Sequence, residues 1–111
     1  MHLVHYNQKY GSLIRARDHK DGIVVLTVFL QVGVNGNIGL EPLVKVLPKL
    51  TRFNSSAVIH ERLSIDKMLP FDRNLFYRYS GSLTTPPCSE SVTFILFANT
   101  IKISPSQVKF F

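Results

Sequence analysis

The chain has 111 residues, 45% of them apolar, and a formal net charge of +6. This length permits one small domain, and the apolar share is typical of a globular rather than a disordered protein. The thirteen Lys and Arg are scattered, and their densest group, Arg15, Arg17 and Lys20, is interrupted by Asp18. This spacing favours a solvated loop over a nucleic-acid surface.

Runs of β-branched and aromatic residues predict strands at residues 2–7, 23–32 and 91–98. The middle run is apolar at successive positions, which is typical of a strand covered on both faces. It is too short to span a bilayer, so no membrane segment is predicted, and no signal peptide is expected before it. Turn signals stand at residues 21–22, 35–37 and 80–81.

Two short helices are predicted. Residues 40–47 place apolar side chains at the i, i+3, i+4, i+7 spacing of a helix, which Pro48 should end or kink. Near the end of the chain, Ser104 can cap a helix and Gln107 can complete a capping box. The chain therefore predicts a mainly β fold with short helices.

The segment GSLTTPPC, residues 81–88, carries the strongest local signal. The double proline fixes the backbone, so Thr84 and Thr85 should lie on a stiff loop. A stiff loop can aim a backbone N–H and a hydroxyl at one reacting atom. The same segment also fits an ordinary proline-bearing turn between two strands.

Several motifs in order resemble the α-carbonic anhydrases, a family of zinc enzymes. GSLTTPP at residues 81–87 resembles the family's threonine loop, and HLVHYN with KYG at residues 2–11 resembles its third zinc-ligand strand. DGIVVL with FLQVG at residues 21–33 resembles the long central strand, and ESVTF at residues 90–94 the strand after the loop.

The resemblance covers nearly the whole chain but only the C-terminal part of the family's domain. Residues 1–111 are therefore predicted to be a partial domain, with the missing N-terminal half as its partner. The predicted fold is part of a large, twisted, mostly antiparallel central sheet.

The histidines limit any metal site. On a strand, side chains alternate between faces, so His2 and His5 point to opposite sides. By resemblance His2 is the third zinc ligand, and His5 is a buried, hydrogen-bonded residue behind the sheet; without the resemblance, His2 would be a surface residue. His19 and His60 stand alone in polar sequence and predict solvated side chains. A catalytic Zn²⁺ needs three protein ligands. The resemblance implies that the other two are histidines of a His-x-His pair, which is absent from this chain.

The resemblance also implies a mechanism. In the family, zinc lowers the pKa of its bound water, and the resulting hydroxide converts carbon dioxide to bicarbonate. Thr84 would be the catalytic threonine that orients the hydroxide, and Thr85 would contact bicarbonate at the edge of the pocket. Apolar residues would form the substrate wall, or serve only as core: Val4, Val25, Leu83, Val92 and Phe94. Phe94 and Tyr6 stand where the family usually has Trp.

Cys88 is the only cysteine, so it has no partner within the chain. The resemblance implies a disulfide to an upstream cysteine in the full protein, which favours an extracellular parent. Asn54 begins an Asn-Ser-Ser glycosylation triplet, which fits that location.

Three functions remain open at the level of sequence. The first is part of a zinc-dependent carbonic anhydrase that hydrates carbon dioxide. The second is a catalytically inactive, carbonic-anhydrase-like binding module. The third is an independent small β-rich protein.

Overall fold

The computed structural model describes all residues from Met1 to Phe111, and it is strand-rich with short helices, as predicted. Its strands are β1 (His2–Tyr6), β2 (Ile23–Thr27), β3 (Leu30–Val32), β4 (Phe76–Gly81), β5 (Val92–Phe97) and β6 (Ile101–Ile103). The α-helices are α1 (Leu13–Ala16), α2 (Glu41–Val44) and α3 (Pro105–Val108). Short 3-10 helices lie at Gln8–Tyr10, Leu47–Lys49 and Asp66–Met68. None of the helices has the length and apolar character needed to cross a bilayer.

The chain forms two compact units. The first comprises Met1–Phe29 and Asp72–Asn99, and the second comprises Leu30–Phe71 and Thr100–Phe111. The first unit holds a four-stranded sheet in the order β1-β2-β5-β4. Its outer pairs, β1 with β2 and β4 with β5, are antiparallel, and the central pair β2 with β5 is parallel.

Alternating side chains of the central strands build the core of the first unit. Ile23, Val25, Val92 and Phe94 are buried in one cluster with Ala16 of α1. The chain turns tightly before β2 and brings Gly22 against the end of α1. A Cβ at Gly22 would lie 1.7 Å from the backbone oxygen of Ala16. Only glycine fits so close to a carbonyl group, so this residue type lets α1 approach the start of the sheet.

The second unit is held together by a parallel pair and one buried glutamine. β3 pairs with β6, from Leu30 opposite Ile101 to Val32 opposite Ile103. The predicted capping box of α3 is confirmed: Ser104 accepts from the backbone N–H of Gln107, and the Gln107 side chain accepts from that of Ser104. Gln107 also bonds both backbone groups of Asn37, at 2.8 and 3.0 Å.

Three local predictions were wrong. The strand expected at residues 23–32 is two strands, β2 and β3, because the backbone changes partner from β5 to β6. Residues 80–81 are the last residues of β4 rather than a turn, since they pair with β5. The helix expected over residues 40–47 is limited to α2, and Pro48 lies inside the following 3-10 helix.

Candidate functional site

One face of the four-stranded sheet collects most of the predicted site residues. Val4 pairs with Val25, and Val25 pairs with Phe94, so these three side chains form a row across β1, β2 and β5. His2 lies two residues before Val4 and therefore shares this face. Its ring is 5.9 Å from that of Phe94, so His2 and the row are neighbours in space.

The apolar residues of this face differ in exposure. Val25, Val92 and Phe94 are buried in the core cluster, and Leu83 packs against it. Val4 lies outside this cluster and is 51% exposed. The structure therefore gathers four of the five predicted wall residues into one apolar cluster and leaves the fifth beside it, on the same face.

Two residues near His2 were not predicted from the sequence. Tyr79 stacks on Phe94 with ring centroids 5.0 Å apart, and continues the row onto β4. Thr27 is the cross-strand partner of His2, and its hydroxyl oxygen is buried with no hydrogen-bond partner. The alternation of Tyr77 and Tyr79 in the sequence could have indicated that Tyr79 faces the same side of the sheet as Phe94. The position of Thr27 beside His2 follows only from the register between β1 and β2.

The loop that carries the two threonines connects β4 to β5. The backbone N–H of Leu83 donates to the oxygen of Ser89, and that of Cys88 donates to the oxygen of Thr85, both at 3.0 Å. The Pro86–Pro87 peptide bond is cis. Both threonines are exposed. Leu83 anchors the loop on the core cluster directly before Thr84.

Cys88 follows the double proline in a left-handed conformation, with φ at 58°. Its thiol is free and exposed. The disulfide implied by the resemblance stays a prediction, since it needs a cysteine outside these residues.

All four histidines, including His2, are exposed. His19 stacks on Tyr10, with centroids 3.9 Å apart, and His60 is exposed, as predicted for both. His5 points away from His2, as predicted, but it is exposed rather than buried, since it lies on the edge strand β1. Its Nδ1 donates to the carbonyl oxygen of Leu3 at 3.0 Å.

The chain does not assemble a metal site by itself. No group of three or more His, Cys, Asp or Glu side chains is placed to hold one ion. Of the two histidines on β1, only His2 lies on the face that carries Phe94. One imidazole does not satisfy the three-ligand requirement of catalytic zinc, so the residues present do not fit a complete zinc centre.

A charged cluster fixes the segment between β1 and β2. Asp21 accepts from Lys9 Nζ and from the Tyr10 hydroxyl, both at 2.5 Å. These bonds lower the pKa of Asp21 to about 2, with Lys9 as the larger cause, and the bond to Asp21 raises the pKa of Lys9 to about 12. The cluster ties the 3-10 helix after β1 to the turn before β2, so it supports the sheet edge that carries His2.

Comparison with known proteins identifies the family. The family model for eukaryotic-type carbonic anhydrase matches residues 1–111. The chain belongs to the carbonic anhydrase family. It is 36% identical over 110 residues to carbonic anhydrase 6 of Bos taurus and 38% identical over 109 residues to carbonic anhydrase 4 of Rattus norvegicus.

These carbonic anhydrases are much longer than the region that matches. The alignments cover 98% and 96% of this chain but 34% and 35% of the two relatives. Carbonic anhydrase 5A, mitochondrial, of Rattus norvegicus is 38% identical over 112 residues, and 36% of its length is covered. The chain thus spans about a third of the length of the curated relatives it matches.

Proposed function

We propose that this chain is the part of a zinc-dependent carbonic anhydrase that supplies the apolar substrate wall, the threonine loop and one metal ligand. The observation that supports this most directly is the shared sheet face, on which His2 lies 5.9 Å from the Phe94 ring. Leu83, the neighbour of Thr84, packs against the same cluster as Phe94. One apolar surface therefore links a candidate ligand to a candidate catalytic hydroxyl.

The apolar side chains suit the substrate. Carbon dioxide has no net dipole and no strong hydrogen-bonding group, so an apolar wall can hold it without leaving polar protein groups unpaired. Val25, Val92, Leu83 and Phe94 would form the packed part of this wall, and the half-exposed Val4 its open margin. Phe94 replaces the usual Trp with a smaller ring, which leaves the wall apolar.

Thr84 and Thr85 carry groups that can hydrogen-bond to bicarbonate, the product of the reaction. Bicarbonate offers oxygen atoms that accept hydrogen bonds, and the exposed hydroxyls of Thr84 and Thr85 can donate to them. The loop's backbone bonds at Leu83 and Cys88 hold both residues in place before a ligand arrives. Such preorganisation is the main way in which a polar site speeds a reaction.

This chain supplies only one of the three metal ligands of the proposed site. His2 would hold the ion together with two imidazoles from outside these residues. A bound zinc ion supplies a hydroxide nucleophile at neutral pH. The 111 residues alone are therefore expected to retain no zinc after dialysis and to show no hydration of carbon dioxide.

The test is reconstitution. The chain is co-folded with the part of carbonic anhydrase 4 of Rattus norvegicus that lies outside its match, and zinc content and carbon dioxide hydration are measured. One zinc per complex and measurable hydration are expected. Replacement of Thr84 by Ala should lower the hydration rate by roughly 100-fold, with zinc retained.

The ligand role of His2 has a matched control. His2→Ala should remove zinc from the reconstituted complex, whereas His60→Ala, at another exposed histidine, should not. Full zinc occupancy in the His2→Ala complex would refute the proposed ligand role.

A second candidate, a non-catalytic carbonic-anhydrase-like binding module, is favoured by the lack of any three-residue metal cluster. A well-folded reconstituted complex that holds no zinc would favour this second function over the first.

A further inference from the structure

The Asn-Ser-Ser triplet at residues 54–56 is a motif that the proposed zinc and substrate site does not use. Asn-x-Ser is the acceptor pattern for N-linked glycosylation when the middle residue is not proline. No other asparagine of the chain is followed by Ser or Thr two positions later. Asn54 belongs to the second compact unit, whereas all the predicted site residues belong to the first.

The structure places Asn54 at the tip of a tight turn. The backbone N–H of Ser55 donates to the carbonyl oxygen of Arg52 at 3.0 Å, which closes a β-turn with Phe53 and Asn54 at its centre. Asn54 has a φ of 59°, and Asn is one of the few residue types that readily accept a positive φ at the third position of such a turn. Residues 51–56 are all exposed, so the triplet lies at the surface rather than in a packed strand or helix.

The hydrogen bonds of this turn do not involve the groups that the acceptor pattern requires. The side-chain bond comes from the middle residue of the triplet, since the Ser55 hydroxyl donates to the carbonyl oxygen of Arg52 at 2.6 Å. The Asn54 amide and the Ser56 hydroxyl take no part in the bonds of the turn. Attachment of a sugar to Asn54 therefore breaks none of the bonds that hold the turn.

The residue before Asn54 indicates what an attached sugar would do. Phe53 is 96% exposed, and exposed apolar surface promotes association between chains. One face of a sugar ring presents C–H groups, and the negative face of an aromatic ring attracts their partly positive hydrogens. A sugar on Asn54 lies next to this ring in the chain and can cover it.

We propose that Asn54 is an N-linked glycosylation site and that its first sugar covers the Phe53 ring. Nδ2 of Asn54 forms a bond to the anomeric carbon of an N-acetylglucosamine in a polyprenol-diphosphate-linked oligosaccharide. The bond between that carbon and the diphosphate oxygen breaks, the polyprenol diphosphate leaves with the electron pair, and Nδ2 loses one proton to the solvent. The proposal requires entry into the secretory lumen and is independent of zinc and of the proposed hydratase function.

The modification is tested by expressing the chain behind a cleavable secretory signal in cultured animal cells. The chain should gain mass that peptide-N-glycosidase removes, and this enzyme should convert residue 54 to Asp, which peptide mass mapping detects. Asn54→Gln and Ser56→Ala should each abolish the added mass, whereas Ser56→Thr should retain it. Ser55→Ala is the matched control, because the middle position accepts any residue except proline.

The contact with Phe53 is tested on the secreted chain. Proton shifts of the first sugar should show the ring current of an aromatic side chain, and Phe53→Ser should remove that shift. In sedimentation velocity, the glycosylated chain should self-associate less than the Asn54→Gln chain. This difference should shrink in the Phe53→Ser background, because the ring that the sugar covers is then absent.

Two results would overturn the proposal. The first is a chain that has lost its secretory signal, and so has entered the lumen, but carries no mass that peptide-N-glycosidase removes. The second is a glycosylated chain whose sugar shifts and self-association are unaffected by Phe53→Ser, which would show that the sugar does not cover the ring.

Discussion

At the scale of single residues, Asp21 shows how the structure gives a surface carboxylate a defined role. Its two oxygens accept from Lys9 and Tyr10 and so connect the segment after β1 with the turn before β2. All three side chains stand in a part of the sequence that predicts little beyond a polar loop. Their pairing requires the chain to return on itself, and no local pattern encodes that return.

The lowered pKa of Asp21 predicts a dependence of stability on pH. The folded-state pKa of about 2 lies below the ordinary value of 3.8, so the bonds to Asp21 stabilise the fold above pH 4. This contribution is lost as pH falls from about 4 to about 2, because the unfolded chain takes up its proton first. The effect should be small, since the pair is fully exposed and screened by water.

Asp21→Asn measures that contribution. The melting temperatures of the parent and the variant should differ at pH 5 and converge as the pH approaches 2. Added salt should shrink the difference at pH 5. Asp18→Asn is the control for loss of a negative charge on the same loop, because Asp18 accepts no bond from Lys9 or Tyr10. A difference that stays constant from pH 5 to pH 2 would contradict the assignment.

At the scale of elements, α3 was predicted accurately because its signal is local. Ser104 and Gln107 are three residues apart, and that spacing alone produces the capping box. The further contacts of Gln107 with Asn37 and Glu41 were not predictable, because they join positions far apart in sequence. The glutamine is thus both a cap and the main polar connection within the second unit.

Replacement of Gln107 should therefore lower the free energy of unfolding more than the loss of an ordinary helix cap does. Gln107→Ala removes the cap bond and leaves the part-buried backbone N–H of Asn37 without its partner, whereas the carbonyl oxygen of Asn37 still accepts from the backbone N–H of Leu40. We expect a loss of about 2 to 4 kcal/mol in the free energy of unfolding, measured by urea denaturation. Ser104→Ala should cost about 1 kcal/mol. A Gln107→Ala variant as stable as the exposed-site control Lys109→Ala would show that these contacts contribute nothing.

At the scale of the whole molecule, exposed apolar side chains are the prominent property. Val34, Phe53 and Phe71 are 96%, 96% and 103% exposed. In addition, β1 and β4 are edge strands of their sheet, each with one unpaired side. Unpaired edges and exposed apolar surface both promote association between chains.

We therefore expect the isolated chain to self-associate. Sedimentation velocity should show an average mass that rises with protein concentration. The double variant Phe53→Ser, Phe71→Ser should lower this association without lowering the melting temperature, because neither ring is packed. Lys49→Ser is the control for an exposed substitution that removes no apolar surface. A monodisperse, cooperatively melting parent chain would refute this expectation.

The sequence by itself determined the features that depend on neighbouring residues. These are the alternation that makes β1 and β5 strands, the cap of α3, the opposed directions of His2 and His5, and the loop of Thr84 and Thr85. Its ordered motifs were also enough to identify the carbonic anhydrase family. Each of these signals acts over a few residues, where backbone geometry and side-chain type are directly coupled.

Only the tertiary structure decided which segments pair and in which register. That pairing brought the His2 ring beside Phe94, divided the predicted central strand into β2 and β3, and left His5 exposed. Strand pairing depends on contacts between distant positions, which local periodicity does not specify.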